Sequence, residues 1–159
     1  MSMHVRKLEQ AELAWANERY AEVDFLPSTA ADFVAVVLMD GERAALGRVT
    51  DLGNNVGELG GMYVFPKFRG RGIAKRLIDH LVAECDIDTL FCLPFEPLLH
   101  LYASSGFSLH SGGEGVPERI SHKHAWCNSH YPERVLLMFR DAGAAIQPLV
   151  QADATSRRD

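Results

Sequence analysis

The stretch GELGGMYVFPKFRGRGIAKRL, residues 57–77, joins an apolar segment to an amphipathic one through a turn rich in glycine and positive charge. The apolar segment predicts a strand over residues 56–65, and the apolar spacing after the turn predicts a helix over residues 73–85. The run TLFCL at residues 89–93 predicts a buried strand directly after that helix. Strand, helix and strand in this order predict a right-handed parallel crossover.

The elements around this unit complete an α/β pattern. Further strands are predicted at residues 4–8, 33–39, 45–52, 107–110 and 135–139, and further helices at residues 9–23, 97–105 and 117–130. The Asp40-Gly41 pair predicts a tight hairpin, because both residues accept positive φ. The expected fold class is therefore α/β, with a mixed, mostly antiparallel central sheet, one βαβ crossover and flanking helices.

Length and composition predict a single domain over residues 1–147 and a flexible tail over residues 148–159, which are small and polar. The 159 residues are 47% hydrophobic and carry a formal net charge of -5, which argues against a general nucleic-acid binder. Three cysteines without a CxxC pair favour reduced thiols. No apolar run reaches the roughly 18 residues of a membrane span and the start lacks a signal-peptide core, so we expect a cytoplasmic protein without a membrane partner.

The turn before the second predicted helix combines a helix N-terminus with glycines and cationic side chains. Unpaired N–H groups and the helix dipole point outward there, and Gly70 and Gly72 let the backbone approach an anion closely. Arg69, Arg71 and Lys75 would add charge-assisted contacts. These features favour a pyrophosphate-sized ligand, and a solvated helix N-terminus stays open as the alternative.

Two widespread phosphate-binding patterns do not fit this turn. GRGIAKR lacks the Ser or Thr that follows Gly-Lys in a Walker A loop. The third glycine of a Rossmann loop is replaced by Lys75, and the turn lies mid-chain after an antiparallel meander rather than after a first strand. A nucleotide-binding domain therefore stays only as a secondary alternative.

Three segments resemble the GNAT N-acetyltransferase superfamily. RGRGIA, residues 69–74, matches its R/Q-x-x-G-x-G/A motif. GELGGMYVFPKF, residues 57–68, looks like its fourth strand, and LYASSGF, residues 101–107, resembles its later Tyr-x-x-x-Gly-Phe segment. The predicted element order is similar as well, so the resemblance covers roughly residues 4–140.

In this family the cosubstrate is acetyl-CoA, so the resemblance implies that acetyl-CoA binds along the turn and the strand before it. Backbone N–H groups of residues 70–75 would wrap its pyrophosphate, and the Met62 N–H would polarise the thioester carbonyl. Gly60-Gly61 is the expected bulge that splays this strand from residues 89–93 and opens a slot for the pantetheine arm. The implied cofactor-binding residues are Met62, Tyr63, Val64, Arg69, Gly70, Arg71, Gly72, Ile73, Ala74 and Lys75.

The same resemblance assigns two catalytic residues. Tyr102 matches the tyrosine that protonates the leaving thiolate, and a role in packing alone stays open. Glu58 matches the glutamate that some members use as a base, often through water; the alternative is a glutamate at the exposed end of the strand, paired with an arginine. One departure is Phe95, where members often have an asparagine that contacts CoA.

Four residues are predicted to border the acceptor amine. Glu22 and Asp24 fall where the family's first helix and the following loop lie, and two carboxylates there suit a cationic amine. A plain surface loop is the alternative for this pair. Trp126 and Tyr131 would line a wall formed by residues 117–130, although packing is the more common role for both.

The predicted function is transfer of an acetyl group from acetyl-CoA to a primary amine of a small molecule or peptide. Direct attack in a ternary complex is expected, because no cysteine lies where a covalent acyl intermediate would form. His122, His124 and Cys127 lack a zinc-ligand spacing, so no metal is expected. A non-catalytic acyl-CoA-binding or sensing module of the same fold is the alternative, and a homodimer stays open.

Overall fold

The computed structural model describes residues 2–142, so the predicted tail at residues 148–159 and the predicted domain end at residue 147 lie outside the described residues. The strands are β1 (Met3–Lys7), β2 (Phe33–Met39), β3 (Glu42–Gly53), β4 (Val56–Val64), β5 (Thr89–Cys92), β6 (Ser108–Leu109) and β7 (Met138–Asp141). The α-helices are α1 (Leu13–Ala21), α2 (Ile73–Glu84), α3 (Leu99–Ala103) and α4 (Glu118–His130). Short 3-10 turns precede α1, α2 and α3 at Gln10–Glu12, Pro66–Phe68 and Glu96–Leu98.

Seven strands form one sheet in the order β1-β2-β3-β4-β5-β7-β6. The β4–β5 pair is parallel and is joined by the α2 crossover, whereas the other neighbouring strands in this sheet are antiparallel. This architecture confirms the predicted mixed, mostly antiparallel sheet. The hairpin at Asp40-Gly41 is confirmed too, since both residues have positive φ, at 51° and 83°.

The parallel pairing of β4 with β5 is short. It runs from Val56 opposite Thr89 to Glu58 opposite Phe91, and β4 then continues to Val64 beside β3. Past Glu58 the two strands diverge and leave the β5-facing edge of β4 without a strand neighbour among residues 2–142. This is the splay that the sequence predicts, and it opens a slot beside the second half of β4.

A bulge was predicted at Gly60-Gly61, and the register shows one that begins a residue later, at Gly61 and Met62. Leu46 pairs with Tyr63 and Arg48 with Gly60, so Gly47 alone lies opposite two residues of β4. A Cβ atom on Gly47 would lie 2.8 Å from the Met62 sulfur, which leaves no room for a side chain there.

The bulge changes which side chains share a face of the sheet. In a regular strand, Glu58 and Met62 would point the same way, because the side-chain period is two residues. Here Met62 packs with the buried cluster that contains the apolar face of α2, whereas Glu58 contacts Lys123 of α4 on the other face. The extra residue therefore separates the candidate base from the backbone segment expected to hold the thioester.

Helices cover both faces of the sheet. Leu77, Ile78 and Leu81 of α2 are fully buried against one face, as the amphipathic spacing predicts. On the opposite face, Tyr20 of α1 packs over β2 and β3, and Ile120 of α4 packs over β5 and β7. No helix within residues 2–142 is long and apolar enough to cross a membrane.

The last strand differs from its prediction at residues 135–139. The ladder with β5 begins only at Met138, and Val135 forms an isolated bridge with Phe95. Residues 135–138 are apolar and all buried, so their sequence looks like a strand although the regular ladder begins only at Met138. Burial and strand pairing are separate properties, and an apolar run by itself does not distinguish them.

Candidate active site

A cleft of about 520 Å³ lies between the end of β4, the loop before α2, and α3. All the predicted cofactor-binding residues except Arg71 line it, together with Tyr102. Val23, Phe25, Leu98 and Leu101 contribute apolar walls. The structure thus brings Tyr102, about thirty residues further along the chain, to the same space as the bulged strand and the glycine-rich turn that follows it.

The floor of one end of the cleft is the N-terminus of α2. Gly70 and Gly72 adopt φ values of 80° and 74°, a conformation that favours glycine, and both residues are exposed. Gly72 caps the helix and no side chain caps it. The N–H groups of the first helical turn have no carbonyl partner within a helix. The loop therefore presents backbone donors and the positive end of the helix dipole, which suits a phosphate.

The cationic side chains around this loop are largely engaged elsewhere. Lys75 Nζ donates to the Ser104 carbonyl at 2.9 Å and to Ser105 Oγ at 3.0 Å, and it pairs with Asp79 at 3.2 Å. The guanidinium carbon of Arg71 lies 5.8 Å from the centroid of the Phe68 ring. The backbone donors are thus better placed than the side chains to bind an anion here.

Arg69 stays at the junction between loop and strand. Its Nε donates to the Val64 carbonyl at 3.2 Å, which ties the loop to the end of β4. Arg69 lines the cleft, and the residue is exposed. Its remaining guanidinium donors are suited to charge-assisted contacts with an anion.

Tyr102 lies on α3 and is only 6% exposed. Its ring packs edge-on against Phe107 at a centroid distance of 5.9 Å. Burial raises the pKa of the Tyr102 phenol, and the neighbouring Cys92 raises this pKa further. Tyr102 is therefore a neutral phenol at physiological pH, in the protonation state from which it can donate a proton.

Glu58 is buried, and its side chain is 7% exposed. The predicted alternative, a glutamate at an exposed strand end paired with an arginine, is wrong on both counts. Its partner is Lys123 of α4, whose Nζ lies 2.6 Å from Glu58 Oε2. The strand is covered by α4 at this point, so the carboxylate is paired by a residue 65 positions away.

Cys92 of β5 is 1% exposed. Burial raises the pKa of its thiol well above the ordinary value, and the charge of Glu58 raises it further. The thiol is neutral at physiological pH and poorly suited to nucleophilic attack.

The two carboxylates predicted at the acceptor have different surroundings. Glu22 accepts a hydrogen bond from the Tyr63 hydroxyl at 3.3 Å and pairs with Arg19 at 3.0 Å. Asp24 is exposed, with a φ of 60°. Their neighbours Val23 and Phe25 line the cleft, so this loop borders it through apolar side chains.

Trp126 and Tyr131 form an aromatic group outside the cleft lining. Trp126 is 53% exposed and stacks on His130 at 4.3 Å, and Tyr131 is 40% exposed. The Tyr131 ring meets Phe95 edge-on at 5.4 Å. Phe95, where the resemblance leads one to expect an asparagine, therefore packs toward the end of α4.

His122 of α4 is exposed, whereas His124 and Cys127 have structural surroundings. His124 Nε2 lies 2.8 Å from the Val135 carbonyl oxygen, and Cys127 is buried. Over residues 2–142, no group of three His, Cys, Asp or Glu side chains is arranged to hold a metal ion.

Sequence reasoning missed two residues of this region, Lys123 and Arg48. Arg48 of β3 donates to the Leu26 carbonyl at 2.8 Å and to Ser28 Oγ at 2.7 Å, so it holds the loop that follows α1. An arginine directly after the apolar run Ala44–Gly47 of β3 is a signal that could have identified Arg48. No comparable signal marks Lys123, which is one of many polar residues on α4.

Comparisons with known proteins bear on the family and on the fold. The sequence model of the Acetyltransferase (GNAT) family matches residues 3–107, and a comparison with curated proteins finds no match. The fold is similar to the ribosomal-protein-S18-alanine N-acetyltransferase of Escherichia coli, with a TM-score of 0.64, 16% identity, and coverage of 89% of this chain and 94% of that one. A GNAT-family acetyltransferase from Staphylococcus aureus has a TM-score of 0.60 and 14% identity, with coverage of 89% of this chain and 99% of that one.

N-acetylglutamate synthase from Neisseria gonorrhoeae, complexed with coenzyme A and N-acetyl-glutamate, is a third neighbour. The TM-score is 0.62 at 15% identity, over 89% of this chain but 35% of that one. The present chain therefore spans about a third of that enzyme's length. The structural neighbours share the fold at low identity, and the family match extends over residues 3–107, well over half of the 159 residues. The chain belongs to the GNAT acetyltransferase family.

Proposed function

We propose that this protein is an N-acetyltransferase that transfers the acetyl group of acetyl-CoA to a primary amine by direct attack in a ternary complex. The observation that carries the proposal is the cleft. It brings together the loop before α2 (residues 69–72, called the α2 loop), the end of β4 and Tyr102. Membership of the GNAT family supports acyl transfer. A structural neighbour in complex with coenzyme A supports this cosubstrate class.

Acetyl-CoA would bind with its pyrophosphate on the α2 loop. The left-handed backbone at Gly70 and Gly72 and the free N–H groups of the first turn of α2 support this placement. The pantetheine arm would then extend along Met62, Tyr63 and Val64, where β4 has parted from β5. Amide groups of the arm would pair with the strand backbone as another strand does.

Two groups would act on the thioester, and a third on the amine. The Met62 N–H would stabilise the oxyanion that develops on the carbonyl oxygen. The buried, neutral Tyr102 would donate its proton to the departing sulfur. Glu58 would accept a proton from the attacking amine, directly or through water.

The proposed step balances in atoms and charge. The lone pair of the neutral amine attacks the thioester carbon, a C–N bond forms and the C–S bond breaks. The amine loses one proton to Glu58, and the thiolate gains one from Tyr102. No covalent acyl-enzyme is invoked, which is consistent with the buried and neutral thiol of Cys92.

Ligand binding tests the first half of the proposal. We expect acetyl-CoA, but neither ATP nor NAD, to raise the thermal unfolding temperature, because only a binder of the native state stabilises it. An unchanged melting temperature in saturating acetyl-CoA would contradict the proposal.

Turnover tests the second half. A thiol-release assay over small amines, amino acids, polyamines, aminoglycosides and peptide N-termini should identify at least one acceptor, and Tyr102→Phe should slow its reaction. Acetyl-CoA binding without CoA release for any amine would favour a non-catalytic acyl-CoA-binding module. The ion pair with Lys123, which occupies the candidate base Glu58, is the observation that favours this second function.

The proposed setting is the cytoplasm, with a small molecule or a peptide as the acceptor. The three cysteines are free and buried, which is in keeping with a reducing compartment. Fractionation of the native host would test this placement.

A further inference from the structure

We propose that Lys123 is a resident placeholder for the acceptor amine, whose ammonium group occupies Glu58 until a substrate amine displaces it. The inference rests on the proposed function, in which Glu58 receives a proton from the acceptor. It goes further by naming a residue of the chain that competes with the acceptor for that carboxylate, and it predicts that the identity of residue 123 tunes acceptor affinity.

The first support is chemical identity. A primary amine in its protonated form is an alkylammonium ion with three N–H donors, and the Lys123 side chain ends in the same group. Its Nζ lies 2.6 Å from Glu58 Oε2, at the contact distance of a short charge-assisted hydrogen bond. Lys123 therefore already occupies the place that a base must offer to an amine.

The second support is the difference in burial within the pair. The Glu58 side chain is 7% exposed, whereas the Lys123 side chain is 49% exposed. A half-exposed lysine on a flexible four-carbon stem can turn away from its partner into water, where its ammonium group is fully hydrated. The buried carboxylate lacks this freedom, so a second cation must replace the lysine when it leaves.

The third support is open space beside the carboxylate. A Cβ atom added to Gly60 would meet only Glu58 Oε2, at 3.7 Å, among the described atoms within 4 Å. Gly60 is two residues along β4 from Glu58, on the same face of the strand. Apart from the chain neighbours of Gly60, no other described atom lies within 4 Å of that Cβ position, so the oxygen that Lys123 holds is not enclosed on the Gly60 side.

These observations define a cycle. A substrate ammonium group displaces Lys123 and pairs with Glu58, so the buried charge stays compensated. The paired ammonium first loses one proton through Glu58 to water and becomes a neutral amine. Its lone pair attacks the thioester, the nitrogen passes its second proton to Glu58 and Tyr102 protonates the departing thiolate. Tyr102 then regains a proton from water. The proton then leaves Glu58 for water, and Lys123 returns to the carboxylate and restores the resting pair.

Substitution of Lys123 tests the cycle through the acceptor KM. Lys123→Met removes the competitor and should lower KM several-fold, whereas Lys123→Arg, with its bidentate fork, should hold Glu58 more tightly and raise KM. The acetyl-CoA KM should stay unchanged in both. Lys7→Met, on the edge strand β1, controls for the loss of one positive charge.

A merely structural role makes the opposite prediction. If Lys123 serves only to compensate Glu58, then Lys123→Arg should match the wild type and Lys123→Met should raise the acceptor KM or abolish activity. That ordering would overturn the placeholder proposal.

A second measurement does not depend on turnover, and it uses a variant only to assign the signal. The side-chain ¹⁵Nζ resonance of Lys123 is assigned by its absence in Lys123→Arg and followed while n-propylamine is added to the wild type with CoA present. We expect the resonance to move toward that of a solvated lysine. No change up to saturating amine would overturn the proposal.

The two measurements separate this proposal from the proposed function. Displacement of Lys123 by n-propylamine without any CoA release would contradict the transferase proposal and support the placeholder. CoA release with an unmoved Lys123 resonance would do the reverse.

Discussion

Arg48 lies against Gly61 across the bulge, so closely that a methyl group on Gly61 would approach Arg48 Nε to 2.7 Å. The same arginine donates to the Leu26 carbonyl and to Ser28 Oγ. One side chain therefore joins the bulge of β4 to the loop after α1, whose residues Val23 and Phe25 line the cleft.

The two adjacent glycines at the bulge should respond differently to alanine. Gly61 has a φ of 59°, so Gly61→Ala combines a strained backbone with the contact against Arg48 and should lower the free energy of unfolding by about 2 kcal/mol or more. Gly60 has no positive φ, and an added Cβ would have only one neighbour, at 3.7 Å. The free energy of unfolding of Gly60→Ala should therefore lie within about 1 kcal/mol of the wild-type value. Urea unfolding measures both, and equal losses would contradict this account of the bulge.

Arg48→Met should loosen the acceptor side of the cleft and spare the cofactor side. The loop would lose two hydrogen bonds from Arg48, while Asn17 would still hold the backbone of Ser28 with bonds of 2.7 and 3.0 Å. We expect a higher KM for the acceptor, with the Kd for acetyl-CoA within about two-fold of the wild type. A matching loss of acetyl-CoA affinity, measured by calorimetry, would place Arg48 in the cofactor site instead.

Tyr102→Phe should lower kcat by roughly 10²- to 10⁴-fold, the usual contribution of a positioned acid. The ring contact with Phe107 survives this change, so the thermal unfolding temperature should barely move. Because burial raises the pKa of Tyr102, this phenol should stay protonated up to about pH 10, and the wild type should not lose activity below that pH through its ionisation. Tyr131→Phe, in an exposed aromatic residue, is the matched control.

Gly72→Ala should weaken acetyl-CoA binding, whereas its loss of stability should equal that of Gly41→Ala, a variant far from the cleft. Gly72 and Gly41 have φ values of 74° and 83°, and neither has a neighbouring atom within 4 Å of an added Cβ. Both alanine variants should lose about 1 to 2 kcal/mol of unfolding free energy. Only Gly72→Ala should raise the Kd for acetyl-CoA; the same Kd in both variants would argue against the α2 loop as the pyrophosphate site.

Glu12 should make stability depend on acid pH. Hydrogen bonds from Arg6 are the largest cause that lowers the Glu12 pKa to about 2, from an ordinary value of 4.5. A carboxyl group with a lowered folded-state pKa stabilises the protein above the unfolded-state pKa and loses that contribution as pH falls toward the folded-state value.

Glu12→Gln should therefore cost about 3 kcal/mol at neutral pH, and the difference from wild type should shrink between roughly pH 4.5 and pH 2. Glu42→Gln is the control, because Glu42 pairs with Lys67 at the surface, where ion pairs contribute little. A difference that does not vary with pH would mean that lost hydrogen bonds, rather than ionisation, account for the effect.

Much of the scaffold was predictable from local sequence. The Gly-Gly pair, the turn at Gly70 and Gly72 and the amphipathic face of α2 each follow from short-range rules of backbone conformation and spacing. The structure confirms the bulge and the helix start, and it brings Tyr102 to the same cleft. The last strand was misplaced because the buried residues 135–137 are apolar like a strand but precede the regular ladder.

The partners of charged side chains were not predictable in this way. Glu58 meets Lys123 across 65 residues, and Arg48 meets Ser28 across 20, because α4 and the loop after α1 fold over the same face of the sheet. Sequence determined the strand, the turn and the helix start, since these depend on the φ preferences and apolar spacing of neighbouring residues. Only the tertiary structure decided which cation reaches the candidate base, since that depends on which elements pack together.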